Sequence, residues 1–153
     1  MKINLILDGH PISGYTNIDP YGYNDKNKVA GDIYNLDELV EDSEALEIIA
    51  ADVLSFVHLS DVPKIINHWC SKLRRKGKII ISGSDINIIS QLCHQQAISL
   101  ESINQLLYGD NDTKTHLSQI SLEYLIQALK SNGLQIMSKR IRGTSISVEA
   151  IRP

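Results

Sequence analysis

Short apolar runs alternate along the chain with stretches in which apolar residues recur every three or four positions, and that alternation predicts an α/β layer fold. Ile3 to Leu7 is apolar apart from Asn4, as expected of a strand covered on both faces. Tyr15 to Ile18 predicts a second strand, Lys28 to Ala30 a third and Ala45 to Ala50 a fourth, with the polar segment Tyr21 to Lys28 an exposed loop. Leu36 to Val40 reads as a brief helix. The clearest helix follows Ser60 and Asp61, either of which can cap it, with Pro63 in its first turn. Val62, Ile65, Ile66, Trp69 and Leu73 form its stripe, and Gly77 reads as its left-handed stop. Lys78 to Ser82, with three consecutive isoleucines, predicts a buried central strand. Helices are expected over Ile86 to Gln95, over Leu100 to Leu107 behind Ser99, and after Ser121, where Leu122, Leu125, Ile126 and Leu129 share a face and Gly133 ends the run. Gln135 to Arg142 and Ser145 to Ile151, joined by Gly143-Thr144, predict a closing antiparallel hairpin.

Composition narrows the picture. The 153 residues fit one domain over 1–153, with 42% hydrophobic and 22% charged residues, too apolar for a disordered chain. Fifteen basic against 18 acidic side chains give a net charge of -3, which argues against a domain living on bulk phosphate contacts. Two cysteines, Cys70 and Cys93, make no disulfide framework, so a reducing, cytoplasmic setting is expected. No apolar run approaches the ~20 residues that span a bilayer. Five histidines lack HxxxH spacing, and no metal site is expected. No P-loop and no Gly-x-Ser-x-Gly elbow occur. The basic runs Arg74-Arg75-Lys76 and Lys139-Arg140-x-Arg142 read as solvated surface, with an acidic partner or nucleic acid coming into view only if they meet in space.

In an open parallel sheet, ligands bind beyond the carboxyl ends of the strands. Asp8, Asp19, Asp32, Asp52 and Asp85 all fall within a few residues of expected strand ends. A carboxylate accepts hydrogen bonds only, so it suits ribose hydroxyls or an exocyclic amine. Asp19 has the place for ribose, and Asp32 with Ile33 the place for adenine. Aspartates at strand ends also close Asx turns and cap helices, so the ordered set says more than any one member.

The order and spacing of several segments resemble the class I S-adenosylmethionine-dependent methyltransferases, in the compact, type 11-like form whose first two strands are joined by a short loop. The segments are KINLILDGHPISGYTNIDP at 2–20, VAGDIYNL at 29–36, ALEIIAADVLSFV at 45–57, LRRKGKIIISGSD at 73–85 and LLYGDNDTKTHLSQISLEYLIQALKSNGLQIM at 106–137. Gly14-Tyr15-x-Asn17-Ile18-Asp19, Lys76-Gly77-Lys78-Ile79 and Tyr108-Gly109…His116 carry most of it. The resemblance implies a Rossmann-like, seven-stranded, mostly parallel sheet with a C-terminal antiparallel hairpin and helices on both faces. It implies S-adenosylmethionine as cofactor, with Asp8, Gly9 and Gly14 about the first turn, Asp19 on the ribose, Asp32 and Ile33 at the adenine, and Ala50 to Leu54 flooring the sulfonium.

Asp52 would serve as base or hydrogen-bond acceptor, and His116 would lie near the active site. The acceptor and any protein partner are unidentified, and the loops Tyr21 to Lys28 and Asp110 to Thr115 are its expected determinants. Two departures stand out. The glycine-rich turn of such enzymes is replaced by Leu5-Ile6-Leu7-Asp8, and His-Val-Leu-Glu-His by Asp52-Val53-Leu54-Ser55-Phe56. Methyl transfer is therefore one expectation, and a catalytically inactive methyltransferase-fold binding or assembly subunit is the other.

Overall fold

The computed structural model describes residues 1–110 and 114–153. Among the described residues nine strands and four α-helices occur in the order β1 (Lys2–Leu5), β2 (Thr16–Asp19), β3 (Val29–Ala30), β4 (Ala45–Ala51), α1 (Val62–Lys72), β5 (Leu73–Ser84), α2 (Ile86–His94), α3 (Leu100–Tyr108), β6 (Gly109–Asp110), β7 (Lys114–Thr115), α4 (Leu122–Ser131), β8 (Gln135–Arg142) and β9 (Ser145–Ile151). Seven strands form one sheet in the order β3-β2-β1-β4-β5-β9-β8, and β6 and β7 pair separately. The five strands from β3 to β5 run parallel, and β9 is antiparallel to both β5 and β8. The architecture is the α/β Rossmann-like sheet that the sequence predicts.

Its cover is uneven. Ile3, Leu5, Ile48, Ala50, Ile79, Ile81, Val148 and Ala150 alternate along their strands onto one face and join the central core. Helices α1 and α4 pack against each other and against this face. Trp69 of α1 is fully buried there, and its indole N–H donates to the Ile33 carbonyl at 2.8 Å. The positions between them carry Asn4, Asn17, Glu47, Ile49, Lys78, Ile80 and Glu149 onto the opposite face. That face is closed at β1 and β2 by the connecting loop rather than by a helix. The Asn17 amide oxygen accepts from the Ile12 N–H at 2.8 Å and from the Asn4 amide at 2.9 Å, while its NH₂ donates to the Ile12 and Tyr15 carbonyls. Asn4 also donates to the His10 carbonyl at 3.1 Å. Further along, Lys78 Nζ pairs with Glu47 at 3.2 Å, and the Tyr15 hydroxyl donates to the same glutamate.

Two local expectations are corrected. Leu36 to Val40 forms turns, not a helix: the Leu36 carbonyl accepts from the Leu39 and Val40 N–H groups, and the chain then turns away. Gly77 does not stop α1 in a left-handed conformation. The helix passes directly into β5 at Leu73, and the left-handed residue is Lys76, at φ 61°. Between Leu73 and Lys78 the strand makes an excursion, where Ala45 and Glu47 of β4 face residues five apart on β5. A Cβ on Gly77 would stand 2.7 Å from the Ala45 carbonyl and 2.8 Å from that of Arg74, so glycine is required by close backbone approach.

Candidate functional site

Parallel pairing brings the carboxyl ends of β1, β2, β4 and β5 to one edge, and two cavities open there. The larger, about 800 Å³, lies over β1 and β2 and is lined by Asp8, Gly9, Asp19, Tyr21, Tyr34 and Phe56 among others. The smaller, about 410 Å³, lies over β4 and β5, with Asp52, Ser82, Ser84, Gln105, His116 and Gln119 in its wall. Asp8, Phe56 and Lys114 line both.

In the larger cavity Asp19 is 5% exposed. One carboxylate oxygen accepts from the Tyr21 N–H at 2.8 Å, and the other pairs with Lys28 Nζ at 2.8 Å. The hydrogen bond to Asp19 holds the Lys28 ammonium above its usual pKa. Asp32 lines neither cavity: it is exposed, and its carboxylate accepts from the Tyr34 N–H two residues on, an Asx turn that precedes a half-buried Tyr34 in the cavity wall. Burial raises the Tyr34 phenol, with the Asp32 charge adding to it.

In the smaller cavity Asp52 adopts a left-handed backbone, φ 55°, just past the end of β4, and its N–H donates to the Ser82 carbonyl at 3.0 Å. Non-glycine residues held there are uncommon and cluster at functional sites. The residue is exposed at the rim, yet desolvation by the cavity wall raises its carboxyl above the usual carboxylate range, with the Asp8 charge adding and His116 opposing. His116 Nδ1 lies 2.9 Å from the Leu106 carbonyl. A carbonyl only accepts, so Nδ1 carries the proton and neutral imidazole keeps its lone pair on Nε2. The ring meets Phe56 edge-on at 5.2 Å.

The β6–β7 pair that carries Lys114 is fixed from several sides. The Gly109 backbone is left-handed at φ 80°, and a Cβ there would stand 2.3 Å from the Lys114 carbonyl. The His116 N–H donates to Tyr108, the Leu117 N–H to Ser55 at 2.7 Å, and the Ser118 hydroxyl to Leu54. Lys114 Nζ thereby reaches Asp8 at 2.7 Å from 106 residues away.

Of the residues singled out in the sequence, Asp8, Gly9 and Asp19 line the larger cavity, and Asp52 and His116 the smaller. Gly14, at φ 82°, precedes β2 at the opposite end of the sheet. Ile33 and Ala50 are fully buried in the core and line neither cavity. Tyr21, Lys28, Tyr34, Phe56 and Lys114 fall within the segments and loops singled out in the sequence, but no spacing there gives any of them an individual role. Phe56 is the single phenylalanine of the chain, and it ends the segment where the histidine motif is replaced. Within the Asp110 to Thr115 loop, residues 111–113 lie outside the described residues. The two basic runs sit at opposite ends of β5: Arg140 and Arg142 lie level with Ser82 and Ser84 through β9, whereas Arg74 to Lys76 belong to its first residues. Among the described residues no helix is long and apolar enough to cross a membrane.

No protein-family model and no curated protein matches the sequence. Solved structures do. A SAM-dependent methyltransferase from Archaeoglobus fulgidus superposes with a TM-score of 0.63 at 10% identity, over 90% of this chain and 76% of its own. The magnesium protoporphyrin IX methyltransferase of Synechocystis, solved with bound SAH, gives 0.58 at 17% identity, over 92% and 65%. An O-methyltransferase family protein from Burkholderia thailandensis gives 0.61 at 11% identity, over 90% of this chain but only 44% of its own length. The chain thus spans less than half of that relative. It has the class I methyltransferase fold.

Proposed function

We propose that the chain binds S-adenosylmethionine in the larger cavity and transfers the methyl group to an acceptor held in the smaller one. The observation that carries this reading is the pair of adjoining cavities at one sheet edge, sharing Asp8, Phe56 and Lys114. The larger falls in the 300–1,000 Å³ range of small-molecule sites. Its donor set suits a nucleoside: Asp19 accepts from ribose hydroxyls in exchange for Lys28, and Tyr21 and Tyr34 give aromatic surface for a base. The methyltransferase structures that share the fold, one of them with SAH bound, add support.

The bound cofactor would supply an electrophilic methyl on a sulfonium. The chain's residues do the rest. Phe56 shields the junction of the cavities, and Ser82, Ser84 and Gln119 orient the acceptor in line with the methyl, the main source of acceleration. The raised Asp52 carboxyl takes the proton that leaves the acceptor oxygen or nitrogen, with His116 Nε2 as the second basic atom in the same wall.

Calorimetric titration with S-adenosylmethionine and S-adenosylhomocysteine tests the reading. Micromolar binding, weakened at least tenfold by Asp19→Ala, is the expected result, since a hydrogen bond to a charged group contributes about 1.5–3 kcal/mol. No heat at millimolar ligand would overturn it and leave the fold as a binding or assembly scaffold.

A further inference from the structure

The first turn of this chain has side chains where glycine-rich methyltransferases present bare backbone, and one of them, Asp8, faces a lysine. We propose that Asp8 and Lys114 together form a zwitterion subsite, in which Asp8 takes the ammonium and Lys114 the carboxylate of the cofactor's amino-acid end. The inference rests on the adenosyl reading of the larger cavity.

Three observations lead to it. The pair stands at the junction, since both residues line both cavities, whereas Asp19 lines the larger one alone. Both partners remain open to solvent, with side chains 51% and 35% exposed, in contrast to Asp19 at 7%. An exposed pair contributes little to folding and exchanges readily for other ions. Finally, the lysine is placed rather than free to wander. Gly109 brings the backbone of β6 against that of β7, and the hydrogen bonds of His116 and Leu117 hold the strand to α3 and to Ser55.

The chemistry follows from charge. Alone, Asp8 would repel the carboxylate of an α-amino acid, and it already raises the carboxyl of Asp52. Lys114 removes that obstacle. A zwitterion entering between the two exchanges one ion pair for two, each a charge-assisted hydrogen bond.

Calorimetry with two probes tests the assignment, S-adenosylhomocysteine and 5′-methylthioadenosine, which share the adenosyl group but differ in the amino-acid end. Lys114→Ala is expected to weaken the first by about 10- to 100-fold and the second by less than about twofold. The double variant Asp8→Asn with Lys114→Gln keeps a neutral hydrogen bond able to hold the hairpin down but removes both charges, and it is expected to bind S-adenosylhomocysteine as weakly as Lys114→Ala does. Recovery of affinity in that double variant would mean that the contact only holds the hairpin down, and would overturn the subsite. So would equal losses for both probes, or no loss for either. Failure of the native protein to bind both probes would instead remove the adenosyl reading and the subsite with it.

Discussion

The two faces of the sheet are closed by different physics. On one, isoleucines, Trp69 and the two packed helices α1 and α4 exclude water, and nearly every inward side chain is apolar. On the other, asparagines, a tyrosine, a glutamate and lysines satisfy one another, and a loop takes the place of a helix. The first face gains stability from area removed from water. The second gains little from area, but its hydrogen bonds fix the segment from His10 to Tyr15, and so the neighbouring Asp8 and Gly9 of the cavity wall. Stability and site placement are thus divided between the faces.

The sharpest way to break this contrast lies within one strand. Ile79 is fully buried on the helical face and Ile80 half-buried on the other. Ile79→Ala should cost about 2–5 kcal/mol of unfolding free energy, and Ile80→Ala about 1 kcal/mol, the lost transfer of a partly exposed side chain. Denaturant melts of the two variants measure the difference, and equal costs would mean the second face is also a sealed core. Next in size, Asn17→Ala leaves the Ile12 N–H and the Asn4 amide without their acceptor, at about 1–3 kcal/mol. Hydrogen exchange of the loop amides should then rise before that of the helices, and global loosening instead would contradict a loop-pinning role.

Smallest is an alkaline effect. The hydrogen bond to Glu47 pushes the Tyr15 phenol up to about 12, with burial and the glutamate's charge adding. A folded pKa above the ordinary value of about 10 means that this contribution is complete below pH 10 and is lost as pH rises through 12. Tyr15→Phe should therefore flatten the fall in Tm between pH 10 and 12, and an unchanged slope would dismiss the bond as a contributor.

The helical face was the legible one. Trp69 and its stripe, the Leu122 to Leu129 stripe and the closing hairpin follow from periodicity, which reports burial against a core. The strands that carry Asn4 and Asn17 are legible too, but the role of those asparagines is not, because a side chain that binds a loop has no period. The site divides in the same way. Asp8, Asp19 and Asp52 follow from the rule that ligands meet carboxyl ends. Lys114 and Phe56 do not, since their positions depend on the Gly109 turn and on Leu117 reaching Ser55. Ile33 illustrates a further limit: an aliphatic residue after a strand fits a ligand or a core equally well in sequence, and here it is fully buried, with its carbonyl accepting from Trp69.

Asp85, 2% exposed, ends β5 with one carboxylate oxygen on the Ile88 N–H and the other on the Leu122 N–H at 2.7 Å, while its own N–H donates to Thr144. A single residue, through its side chain and its backbone N–H together, thus rivets the starts of α2 and α4 to the hairpin turn. Ser82 to Ser84 on one bank of the smaller cavity and Ser118 to Ile120 on the other are framed by that rivet, so this mouth keeps a fixed width.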